Sequence, residues 1–129
     1  MAFKLLAISM GGVIGALLRY GTGGAVHKFL QADFPYGTLF INLSGCLVIG
    51  FLWGLFERFN FSSNLRLFVF IGILGSFTTF SSYGIETFNL IRDGEMRAGL
   101  LNILFNNVFG ISFVFIGFWL SKITMNLLK

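Results

Sequence analysis

A chain of 129 residues, 56% of them apolar and only 11% charged, lacks the polar residues needed to coat a soluble domain of its size. Its net charge of +4 comes from nine Lys and Arg spread thinly along the chain, a pattern of membrane-flanking residues that excludes a concentrated nucleic-acid surface. One cysteine, Cys46, and one histidine, His27, exclude an internal disulfide, a thiolate metal cluster and a His-rich metal site within one chain.

The first apolar block covers residues 3–26. It exceeds the ~20 residues that cross hydrocarbon as a helix. It is too long for a cleaved signal peptide, carries Arg19 and shows no clear cleavage site. Gly11 and Gly15 form a GxxxG step, with Arg19 four residues further along the same face. Packing within one chain and dimerisation both account for such a step. Arg19 reads as a structural ion pair or carbonyl clamp, or as a cation whose stem reaches the interface.

The second block covers residues 36–56, with Pro35 suited to its start. Thr38, Asn42 and Gly45 share one helix face. The Asn42 amide offers two donors of the kind an anion needs, and an interhelical hydrogen bond is the alternative use.

Ser63 or Asn64 is expected to cap the third block, residues 65–91. Within it "GSFTTFSSYGIE", Gly75 to Glu86, places five Ser and Thr hydroxyls between two strongly apolar flanks. Back-bonding to helix carbonyls accounts for one or two of them. So dense a run between two glycines predicts a broken helix, tolerated at membrane depth only where it is buried in protein or lines a wet cavity. Phe80 and Tyr83 then share a face, and the positive edges of their rings suit an anion. Glu86 reads as a proton carrier, a partner for hydroxyls or a residue near a helix end.

Asp93-Gly94 is a turn signal before the fourth block, residues 98–123. Asn102, Asn106 and Asn107 there make either a hydrogen-bonded packing face or a polar track. Four spans put Lys4, Arg58, Arg66, Lys122 and Lys129 on one side, against Lys28, Arg92 and Arg97 on the other, with Arg19 added where its stem reaches that interface. So small a bias sets no single orientation, and insertion both ways with antiparallel pairing is as consistent with it as one fixed orientation.

These residues resemble the Fluc (CrcB-type) family of small fluoride channels along essentially the whole chain. The resemblance is carried by "GGVIGALLRY", "GTLFINLSG" and above all "GSFTTFSSYGIE", close to the family motif G-G-x-T-T-F-S-x-F. It implies an all-α integral membrane protein of four transmembrane helices, the third broken near its middle. It also implies an antiparallel, dual-topology homodimer in the bacterial inner membrane, not an enzyme. Fluoride would leave the cytoplasm by passive electrodiffusion through two pores. By motif position the pore residues would be Thr38, Asn42, Phe80, Ser81, Ser82, Tyr83 and Asn106, with Arg19 at a vestibule. A structural Na⁺ at the dimer interface would be held by the main-chain carbonyls of Gly75 and Thr78. The chain departs from the motif at Tyr83, where phenylalanine is usual, and at Ser76, where glycine is usual. In the fourth span the alignment leaves Asn106 and Asn107 both open as the pore-facing residue. Two rival readings remain: a small dual-topology, proton-coupled multidrug exporter using Glu86, and a non-transporting subunit of a membrane complex.

Overall fold

The computed structural model describes residues 1–30 and 32–127; Lys129, counted above, lies outside them. Those residues form helices and no strand. With no water in hydrocarbon to satisfy peptide groups, helices meet that demand within each span. Four stretches are long and apolar enough to cross a membrane. They are α1 (Ala2–Phe29), α2 (Tyr36–Arg58), a third span Ser63–Arg92 and a fourth, α5 (Met96–Leu127). The third span is divided into α3, residues 63–77, and α4 (Phe80–Arg92).

Local chemistry sets the ends. Pro35 occupies the N-cap of α2, where its missing N–H removes no helical bond. The cap of the third span is Ser62, one residue before the expected pair: its hydroxyl accepts from the Leu65 N–H at 3.3 Å. Ser62 has the extended backbone a cap requires, whereas Ser63 and Asn64 are already helical. Gly94 makes the turn into α5 at φ +91°, a conformation that favours glycine.

Two helix pairs interlock through glycines. A Cβ on Gly11 or Gly15 of α1 would overlap backbone at Phe68 or Ile73 of α3. The GxxxG step therefore serves packing within the chain. On the other side, a Cβ on Gly50 of α2 would overlap the Val114 carbonyl, and one on Gly117 of α5 the Leu47 carbonyl. Arg66 clamps the Phe56 carbonyl in the last turn of α2, and Lys122 pairs with Glu57 at 3.3 Å. Val13, Leu17, Phe115 and Trp119 stand exposed on the outer faces, the chemistry of a lipid-facing surface.

Two stretches are wound wider than an α-helix, with i→i+5 bonding: Leu67–Leu74 in α3 and Phe105–Phe109 in α5. Such widening often accompanies functional sites. Here the first stretch leads into the break and the second carries Asn106 and Asn107.

Candidate functional site

The break lies at Thr78 and Thr79, whose backbones are both extended. Asn42 of α2 holds it open. The Thr79 N–H donates to Asn42 Oδ1 at 2.9 Å, and Asn42 Nδ2 donates to the Thr79 carbonyl at 3.1 Å. In an unbroken helix the Thr79 N–H would close onto the Gly75 carbonyl. The Ser82 N–H would likewise close onto Thr78, but it donates instead to Thr79 Oγ1 at 3.2 Å, the N-cap bond of α4. The break thus takes the helical donors away from the run of carbonyls Gly75 to Thr78, with the N–H groups of Thr79 and Ser82 turned onto side chains.

From Asn42 a chain of side-chain amides runs inward. Asn42 Nδ2 donates to Asn106 Oδ1 at 2.9 Å, and Asn106 Nδ2 donates to Asn102 Oδ1 at 2.9 Å. Asn102, fully buried, donates to Thr87 Oγ1 at 2.9 Å, and Thr87 donates to the Tyr83 carbonyl at 2.8 Å. Every amide hydrogen of Asn42 and Asn106 faces a protein acceptor in this conformation. These are the interhelical bonds that sequence alone left as one of two uses for Asn42. Thr87 went unnoticed in the sequence; its place one turn after Tyr83 and near the level of Asn102 was the only available signal.

A cavity of about 290 Å³ sits against the break. Asn42, Thr78, Phe80, Tyr83, Asn106 and Asn107 line it, with Gly75 and Cys46 beside them. The Phe80 and Tyr83 rings meet edge to face, centroids 5.2 Å apart. Tyr83 is buried, whereas Phe80 is 79% exposed, so apart from its contact with Tyr83 most of its ring is left bare by the described residues. Asn106 and Asn107 both line the cavity with different partners: Asn106 joins the amide chain, and Asn107 Nδ2 lies 3.0 Å from the Tyr83 hydroxyl.

A larger cavity of about 820 Å³ opens on the other side of Thr79, which lines both. Arg19, Thr38, Ser82 and Glu86 contribute to its wall. The Thr38 hydroxyl donates to Glu86 Oε1 at 2.6 Å, while the buried Oε2 has no hydrogen-bond partner among the described residues. Ser81 is exposed, 3.4 Å from Thr79 Oγ1, and lines neither cavity. The sequence-derived residues therefore separate into two groups. Asn42, Gly75, Thr78, Phe80, Tyr83 and Asn106 meet at the break, and Arg19, Thr38 and Ser82 line the wider opening.

A family profile described as "CrcB-like protein, Camphor Resistance (CrcB)" matches residues 6–118. A protein of Parabacteroides distasonis named "Fluoride-specific ion channel FluC" is 40% identical over 98% of this chain and 98% of its own length. One of the same name from Salinibacter ruber is 48% identical over 88% of this chain and 86% of its own. A third, from Desulforapulum autotrophicum, is 40% identical over 95% and 99%.

Proposed function

The chain belongs to the CrcB-like family, and from that premise we propose that it is a fluoride channel, as its relatives are named, and not an enzyme. Its four apolar spans and bacterial relatives make it a multi-pass protein of the bacterial inner membrane. The observation that supports conduction best is the opened third span. At membrane depth an extended Thr78–Thr79 pair borders a cavity walled by Phe80 and Tyr83. Irregular backbone survives there only beside protein or a wet cavity.

In this reading fluoride enters through the wider cavity, past Arg19, Thr38 and Ser82, and crosses at Thr79 to the Phe80 and Tyr83 rings. The ion is small and strongly hydrated, so hydroxyls and ring edges replace its water in turn, beside amides whose own hydrogens are held by the protein. Each must bind weakly enough to release it. Movement is passive electrodiffusion out of the cytoplasm. The bare Phe80 ring supports a second copy packing over this face, in an antiparallel homodimer with two pores. The Gly75 and Thr78 carbonyls, deprived of their helical donors, are oxygen ligands suited to a Na⁺ ion at that interface. The ion would neutralise the carbonyl dipoles where the two copies meet.

Purified protein in liposomes loaded with fluoride tests this. A channel discharges fluoride rapidly and retains chloride. Equal chloride loss, or no flux at all, overturns the reading; the latter result is what a non-transporting subunit would give.

A further inference from the structure

Tyr83 carries a hydroxyl where the resemblance leads one to expect a bare ring, and its surroundings determine what that hydroxyl can do. Its partner is Asn107, whose Nδ2 lies 3.0 Å from Oη. The same nitrogen lies 2.8 Å from the carbonyl oxygen of Ile103, one turn earlier in α5. A carbonyl only accepts, so the amide atom facing it must be the nitrogen. Turning the amide over would set Oδ1 against that carbonyl. Asn107 is therefore oriented by its own helix, and its two hydrogens are committed to Ile103 and Tyr83.

The phenolic oxygen is thereby an acceptor, and its own proton is left over. The bond from Asn107 is the hydrogen bond Oη makes among the described residues. The ring is held by burial, at 8% exposure, and by the edge-to-face contact with Phe80. Both Tyr83 and Asn107 line the 290 Å³ cavity at the break. An O–H at such a wall with no protein acceptor is costly unless the cavity supplies one.

We propose that the Tyr83 Oη–H donates to the anion in this cavity, and that Asn107 is a positioning residue that keeps the phenol an acceptor on the protein side. The proposal rests on the channel reading above and names the donor that this chain adds to it. A phenolic O–H approaches a small, charge-dense anion closely, so the contact favours fluoride over chloride.

The test uses the full chain in fluoride-loaded liposomes, with size-exclusion chromatography as a check on folding. Tyr83→Phe lowers fluoride efflux about tenfold, the scale of one lost hydrogen bond to an ion. Asn107→Leu lowers it comparably and has no further effect in the Tyr83→Phe background. Asn107→Asp substitutes an acceptor that captures the phenolic proton, so its efflux falls below that of Asn107→Leu.

A spectroscopic arm leaves Tyr83 intact. The chain has three tyrosines, so a Tyr20→Phe, Tyr36→Phe variant keeps Tyr83 alone. Its ultraviolet resonance Raman doublet should read as acceptor without fluoride, gain donor character when fluoride is added, and stay unchanged with chloride. Should the parent conduct fluoride while Tyr83→Phe matches it and the doublet ignores fluoride, this proposal is overturned and the channel reading stands. A parent that conducts no fluoride overturns the channel reading instead. If Tyr83→Phe fails to fold, the Raman response of the intact phenol decides.

Discussion

Asn42 and Thr79 exchange two hydrogen bonds across the gap between α2 and the broken third span, the side-chain amide reading the peptide group from both sides. An extended peptide at membrane depth needs partners for its N–H and C=O, since hydrocarbon supplies none. Asn42 supplies the partner that the helix ladder withholds, and the diverted N–H is what separates Gly75 from its helical donor.

Replacing Asn42 by Leu removes both bonds and the link to Asn106. Each stranded polar group costs about 1–3 kcal/mol when buried. We expect a lower unfolding temperature and at least a tenfold loss of fluoride efflux, about 1.4 kcal/mol. A variant with the parent's melting curve and the parent's flux would remove Asn42 from this role.

Phe80→Ile keeps an apolar side chain but removes the aromatic ring from the cavity wall. Fluoride flux should drop sharply while the elution volume stays that of the parent. Flux equal to the parent's would take Phe80 out of the pore wall.

Glu86→Gln separates the channel from a proton-coupled exporter. The amide retains an oxygen for the Thr38 hydroxyl and neutralises the side chain of the wider cavity. A channel keeps fluoride efflux within about threefold, less than one hydrogen bond to an ion is worth. An exporter instead shows proton-coupled uptake of large organic cations that the substitution abolishes; observing that uptake in the parent would refute the channel.

Gly117→Val tests the packing of α2 on α5. Its Cβ meets the Leu47 carbonyl, a backbone atom that cannot swing aside. Overpacking of this kind costs about 1–3 kcal/mol or more, read as reduced thermal stability in detergent. The same substitution at Gly24, with open space around it, should be nearly silent.

Exchanging Na⁺ for a bulky organic cation throughout purification tests the carbonyl site. If Na⁺ binds the Gly75 and Thr78 carbonyls, the protein loses thermal stability and regains it when Na⁺ is restored. Melting curves indifferent to the cation would refute the site.

Much of this arrangement can be read from residue order. The polar run from Gly75 to Glu86 stands out because hydroxyls are costly in hydrocarbon, and the break does fall inside it, at Thr78–Thr79. Asn42 stood out as a lone amide in an apolar helix. Its partner could not be read, since the depth of α2 relative to the third span depends on how Gly45 lets α2 seat against Phe77 and Thr78. Likewise Asn106 and Asn107, adjacent in the chain, could not be told apart. The widened turn Phe105–Phe109 brings both to the cavity and gives each its own partner. The cap at Ser62 was displaced by one residue, because Ser62, Ser63 and Asn64 are chemically alike as caps and only the backbone distinguishes them.

Composition and the lengths of the apolar blocks were enough to point to membrane-spanning helices, because so few charges cannot coat a soluble domain and a helix satisfies its own peptide groups in hydrocarbon. Hydroxyl density was enough to mark where one helix yields. What needed the folded chain was the direction of each hydrogen bond: that Asn42 faces Thr79, that Thr38 faces Glu86, and that Asn107 donates to Tyr83. A donor's partner is set within a few tenths of an ångström by helix packing and winding, and such offsets leave no trace in the spacing of residues along one strand of sequence.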